Sequence, residues 1–267
     1  MAQTKTKSGG FSLPAWLVIV VALVVSELVF HFVFGDAKHF VDEAKKEPKP
    51  GDYFGIIYKG GFIVPFLMTM FIVLVTFSIE RFLMISKAKG TGNLDDFLKK
   101  IKSQLDGNNI SGALDECNKQ KGSVANVVQA GLHKYKEMQT NAELTTEQKV
   151  LNISKELEEA TTLEMPMLEK NLSIIATIAS VGTLIALLGT VLGMIRAFAA
   201  LATSGTPDPT ALASGISEAL INTALGISTS AFAIIMYSYF TSKIDGLTYA
   251  IDEMGFSLSQ TFAAKNK

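Results

Sequence analysis

The sequence predicts an all-α integral membrane protein whose long transmembrane helices extend into a cytoplasmic helical region. Three observations predict it. Of the 267 residues, 48% are hydrophobic and only 18% charged, with a mean hydropathy of +0.31, which is greasier than an ordinary soluble domain. Four apolar stretches are long enough to cross a bilayer, which needs about 20 residues. Between the second and the third, apolar residues recur at helical spacing among charged ones.

The first stretch runs from Pro14 to Phe34 and follows a short tail with Lys5 and Lys7. A signal peptide has the same start, but its apolar core is usually roughly 7–15 residues and a small-residue cleavage site follows. This stretch is longer and lacks the site, so an uncleaved membrane helix is expected. Glu27 and His31, four apart, share one of its faces. They belong either against protein or at the wet outer headgroups. The second stretch runs from Phe62 to about Ile79, the third from near Leu172 to about Leu201, and the fourth from about Leu212 to Phe240. The last two exceed a simple crossing and should tilt or project.

Lysine placement sets the orientation. The link "TSGTPDPTA" between the last two spans has no Lys or Arg and belongs outside. The region from Lys87 to Lys170 and the tail after Lys243 are lysine-rich and belong inside. With four spans, both termini then lie inside. One loop runs against the rule: Asp36 to Gly60 holds five lysines and would lie outside. The expected organisation is a tail and extra N-terminal helix (1–35), an outer loop (36–61), a second membrane helix (62–86) and an inner helical region (87–170). A third membrane helix (171–203), a short outer loop (204–211), a fourth membrane helix (212–242) and an inner C-terminal helix (243–267) complete it.

Within the inner region, "LDDFLKKIKSQL" is amphipathic. "GNNISGALDECNKQ" turns into another helix, with Ser111 as a candidate cap. "SVANVVQAGLHKYKEM" is a third. A long charged helix from "LTTEQKV" to "MLEK" is bent or interrupted near Pro166 and is expected to run into the third span as one rod. Its Glu-rich face reads as solvated.

A net charge of -1 provides no electrostatic pull toward nucleic acid. Cys117 is the single cysteine, so an internal disulfide and a four-cysteine metal site are both excluded. His31, His39 and His133 are scattered without ligand spacing. Neither a metal nor a cofactor is expected. No nucleophile–base pair or phosphate-cradling loop argues for an enzyme.

The chemistry concentrates in the last two spans. No Asp, Glu, Lys or Arg occurs from Asn171 to Met194. Yet "LLGTVLGMIRAF" (187–198) places Gly189, Thr190 and Gly193 within five residues. Thr183, Ala186, Thr190, Gly193 and Ala197 form one stripe at spacings of three or four. In "SGISEALINTALGISTS", Gly215, Ala219, Thr223, Gly226 and Ser230 form another, with Glu218 and Asn222 beside it. Small residues allow close helix packing in lipid, and a lone membrane Thr can simply bond its own i−4 carbonyl. An acidic residue within a span faces a cavity or the bundle interior. The two stripes therefore suggest either a lined passage or a tight seat for another helix.

At "LLGTVLGMIRAF" (187–198) and "DPTALASGISEALINTALGI" (208–227) the sequence resembles the ExbB/TolQ/MotA family of proton-channel subunits, most of all ExbB and TolQ. The resemblance runs from about residue 60 to 245. The first span is one more than the family's usual three. Two prolines of the family pattern are missing, at Thr183–Ala186 and about Phe232, so the bends they would cause are not expected.

The resemblance implies a pentamer of long helices in the bacterial inner membrane, with periplasmic outer loops. Its pore would hold a single-span ExbD-like or TolR-like partner bearing a membrane aspartate, and a TonB-like protein would receive the work. It assigns the proton pathway to Thr190, Thr223 and Glu218. The pore lining would comprise Thr183, Ala186, Gly193, Ala197, Gly215, Ala219, Asn222, Gly226 and Ser230. Hydroxyls suit such a site, because they accept from a protonated carboxyl and donate to its anion. A solute carrier is the rival reading, but no internal repeat or broken helix pair supports it. A plain scaffold would explain the small residues and give no reason for Glu218 and Asn222.

Overall fold

The computed structural model describes residues 14–42, 47–203 and 209–266. The tail with Lys5 and Lys7 and most of the 204–211 link lie outside the described residues. Nine α-helices are described: α1 (Ala15–Leu28), α2 (Tyr53–Tyr58), α3 (Ile63–Lys89), α4 (Leu94–Asp106), α5 (Ile110–Gln120), α6 (Gly122–Thr140), α7 (Thr146–Glu169), α8 (Leu172–Thr203) and α9 (Pro209–Lys265). α1 continues as a π-helical segment, Val29–Phe34. Four helices are long and apolar enough to cross a membrane. The protein is an all-α membrane protein, and its chain divides into two compact units.

The first unit comprises residues up to Thr76 together with Ile174–Ile234. α1 touches α3 through small side chains. Ala22 and Ser26 are its buried residues, and Ser26 Oγ donates to the carbonyl of Pro65 at 2.5 Å. Most of the rest of α1 is exposed apolar surface. Glu27 and His31 form an exposed pair 3.4 Å apart. The stretch after it is more than a loop. A 3-10 turn (Ala37–His39) precedes two short antiparallel strands, β1 (Phe40–Asp42) and β2 (Glu47–Pro48), and then α2. Asp52 caps α2, its carboxylate accepting from the Phe54 and Gly55 amides. Phe30 stacks on Tyr58 at 4.7 Å and Phe34 on Phe54 at 5.4 Å.

The second unit comprises Phe77–Ser173 and Ile235–Lys267. α4 buries Phe97, Leu98, Ile101 and Leu105 on one face. Asn109, not the expected Ser111, caps α5, accepting from the Gly112 amide. Asn is as good an N-cap as Ser, and here it sits at the true boundary. α7 opens with a capping box between Thr145 and Gln148. The end of α9 packs against this bundle: Tyr135 meets Phe262 edge-on at 4.9 Å, and Lys265 Nζ donates to the last carbonyls of α4, those of Leu105 and Asp106.

Two expectations about continuity are corrected. Pro166 does not interrupt α7, which continues to Glu169. Having no N–H, it leaves the Thr162 carbonyl without its i→i−4 donor, but the helix runs on through it for three more residues. The break comes instead at Asn171, whose φ is 62°, so α7 and α8 are not one rod. Asn tolerates this left-handed conformation. Arg81 accounts for the break's stability. Its Nη1 donates to the Met167 and Leu168 carbonyls, both at 3.1 Å, satisfying acceptors that the ending helix leaves open. Conversely, the expected fourth span and C-terminal helix are one element, the 57-residue α9. No proline follows Pro209, and nothing else in the sequence stops the helix.

Candidate functional site

α8 and α9 are antiparallel neighbours in the first unit. Gly182, Ala186, Gly189, Gly193 and Ala197 on α8 meet Ser230, Gly226, Asn222, Ala219 and Gly215 on α9 in reverse order. The approach is close: a methyl group added at Gly226 would lie 2.2 Å from the Ala186 Cβ. Ala186, Gly193, Ala197, Gly215, Ala219, Asn222, Gly226 and Ser230 are all buried in this arrangement, whereas Thr183 is exposed. The small side chains of both stripes thus meet within a single chain, as small-residue packing in membranes requires.

Thr190 and Thr223 face each other across this seam, half-buried, with their hydroxyls hydrogen-bonded. Each also lies within donating distance of its own i−4 carbonyl, Ala186 at 3.1 Å and Ala219 at 3.0 Å. Two hydroxyl protons therefore serve more acceptors than they can satisfy at once. Whichever hydroxyl donates to its carbonyl is free to accept from the other. The proton arrangement can switch without moving a heavy atom.

Toward the start of α9, Glu218 pairs with Arg196 of α8. The Glu218 side chain is 12% exposed and that of Arg196 is 49% exposed. Arg196 also lies over the Phe62 ring, 5.4 Å from its centroid. The turn before α3 fits against this pair. Gly61 has φ +73°, and a Cβ there would stand 2.6 Å from a Glu218 carboxylate oxygen. Asn222 Nδ2 donates to the Gly60 carbonyl at 2.9 Å, while its Oδ1 is buried without a partner. Sequence reasoning missed Arg196, although it lies inside the quoted motif. The signal was available: Arg196 is the only Lys or Arg between Asn171 and Ser242, and Glu218 is the only acid within the two helices over that stretch.

Residues 119–253, just over half of the chain, match the MotA/TolQ/ExbB proton channel family. The chain belongs to this family. The matched segment contains the hydroxyl pair and the ion pair alike. Among relatives of this family member, an ExbB homolog of Methanothermobacter thermautotrophicus is 39% identical over 83 residues, 31% of this chain and 29% of that protein. The TolQ protein of the Tol-Pal system of Pseudomonas aeruginosa is 27% identical over 161 residues, 58% of this chain and 67% of that one. The biopolymer transport protein ExbB of Xanthomonas campestris is 26% identical over 115 residues, 43% and 46% respectively. The match thus spans less than half the length of these ExbB relatives.

Proposed function

We propose that the chain is the pore-forming subunit of an ExbB–ExbD-type inner-membrane motor. It would use the proton-motive force to energise outer-membrane transport through a TonB-like protein. The hydroxyl pair of Thr190 and Thr223 carries this reading. It offers a partner helix's carboxyl group a site that donates and accepts without fixing one protonation state. A carboxylate in a dry pore cannot ionise without such help. Glu218, held by Arg196, lies one turn or so from Thr223 and completes the pathway. Thr183 would stand on the pore wall, and the buried small residues of the two stripes would back it. Moving one charge through 100 mV releases about 2.3 kcal/mol, available to turn or repack the partner.

The assembly would be a homopentamer around a single-span ExbD-like partner bearing a membrane aspartate. Residues 36–61 and the α8–α9 link would be periplasmic, and both termini cytoplasmic. The extra α1 would pack on the outside of the ring. The TolQ relatives favour a second reading within the same chemistry, a TolQ-like subunit maintaining the envelope.

The decisive experiment co-purifies the chain with the product of the neighbouring gene, expected to be a small single-span protein, and measures native mass and proton flux in vesicles. Five copies around that partner, with flux abolished by Thr190→Val/Thr223→Val while the complex stays intact, is the expected result. A chain that purifies alone, or a double variant that conducts normally, overturns the motor. Growth defects confined to TonB-dependent uptake, rather than to envelope integrity, separate the ExbB-like role from the TolQ-like one.

A further inference from the structure

We propose that a groove between α3 and α9 in the second unit binds the headgroup of an anionic phospholipid. The groove has a volume of about 230 Å³ and is lined by Phe82, Ile85, Ser86 and Lys89 of α3 and by Tyr239 and Lys243, among others, of α9. On each helix these positions recur at three or four residues, so two facing stripes build it.

Three features identify the ligand's chemistry. First, no carboxylate lines the groove, and among the described residues neither lysine has an acidic group within ion-pair distance. Two ammonium groups bordering one small space call for an anion. Second, the walls are apolar and open. Phe82 is 56% and Tyr239 42% exposed, and Lys243 Nζ lies 5.6 Å from the Tyr239 ring centroid. A soluble anion would satisfy the lysines and leave these rings in water, whereas a phospholipid covers both. Third, the groove sits where both helices leave their charge-free runs, Phe62–Ile79 on α3 and Leu220–Ser242 on α9. That is the depth at which Tyr and Lys anchor a protein at the bilayer surface, and basic pockets between membrane helices bind acidic headgroups there. The site goes beyond the motor reading and does not depend on it.

The test uses the full chain in nanodiscs containing equal phosphatidylglycerol and phosphatidylcholine, followed by native mass spectrometry of lipids retained on release. The unaltered chain should keep phosphatidylglycerol in preference. Lys89→Gln/Lys243→Gln should reduce that preference by roughly tenfold or more, with an unchanged circular dichroism spectrum. The control Lys99→Gln/Lys136→Gln, also exposed lysines, should keep it. Equal retention of both lipids by the unaltered chain overturns the proposal. So does a preference that survives Lys89→Gln/Lys243→Gln, or displacement of the lipid by millimolar inorganic phosphate. A Ser86→Cys variant that crosslinks between copies whether or not phosphatidylglycerol is present would give the groove to a second chain instead.

Discussion

Asn222, fully buried on α9, donates to the Gly60 carbonyl just before α3 at 2.9 Å. This bond ties the turn that precedes one membrane helix to another membrane helix, one turn from Glu218. Replacing Asn222 by Ala strands the Gly60 carbonyl and opens a small void. The expected cost is about 1 kcal/mol, the usual scale for such bonds between membrane helices. Thermal unfolding in detergent should show a fall of a few degrees. If proton flux falls as well while the complex stays assembled, Asn222 also positions the Glu218 region; an unmoved melting temperature would refute the structural role.

The α8–α9 seam makes a sharper contrast. A Cβ at Gly226 would lie 2.2 Å from the Ala186 Cβ and 2.8 Å from the Gly182 carbonyl oxygen, whereas nothing lies within 4 Å of one at Gly246. Both glycines stand inside α9. Gly226→Val should force the helices apart and destabilise by roughly 2 kcal/mol or more. Gly246→Ala should stabilise by about 0.5–1 kcal/mol through helix propensity alone. Melting curves of the two variants should therefore move in opposite directions.

Much of this fold is legible in the sequence, for identifiable reasons. The four spans follow from long, predominantly apolar runs with at most one charged residue each, and the amphipathic α4 from the recurrence of Phe97, Leu98, Ile101 and Leu105. The break at Asn171 is not legible, because neither proline nor glycine marks it. It depends on Arg81, about 90 residues earlier in the chain. Local signals point instead to Pro166, which the helix tolerates. At the site, the two threonines stand out by periodicity, but their pairing across helices is a tertiary fact. Arg196 stands beside small residues in a motif and discloses its role only when α9 returns with Glu218.

Cys117 is buried at the inner face of α5, and burial pushes its thiol up to about 12 from an ordinary 9.0. The thiolate is the reactive form, so at pH 8 the folded chain should react with iodoacetamide roughly a thousandfold more slowly than the unfolded chain. Mass spectrometry of labelling with and without denaturant checks this. Fast labelling of the folded chain would mean that α5 opens readily.

The Asp52 carboxylate accepts from the His39 ring, 2.7 Å away, and from the α2 amides. The His39 contact is the largest cause holding the carboxyl below its ordinary 3.8, with the backbone bonds adding to it. A carboxyl lowered in the folded state contributes stability that is present above its unfolded value and lost as pH falls through its folded value. Amide exchange at Phe54 and Gly55 should therefore stay slow above about pH 4 and accelerate below it. Asp52→Asn should flatten the part of that pH profile that exceeds the intrinsic exchange rate. A profile unchanged by the substitution would show that the aromatic contacts alone hold α2.

Among the described residues, Arg81 is the largest fully buried side chain, and it is charged. Its Nε donates to Glu80 at 2.6 Å, its Nη1 closes two carbonyls at the end of α7, and Asn171 reaches the same Glu80 carboxylate at 3.4 Å. Arg81→Met keeps the apolar length of the side chain and removes the guanidinium. Two helix-end carbonyls and Glu80 then lose their donor, at a cost of roughly 2–4 kcal/mol. Arg81→Lys should recover only part of this, because a single ammonium cannot reach the carboxylate and both carbonyls in the guanidinium's fork geometry. Chemical unfolding of the three proteins should rank them unaltered, Lys, then Met. Equal stabilities for Lys and Met would indicate that the fork geometry, rather than the charge, holds the α7–α8 break, and equal stabilities for all three would remove Arg81 from that role.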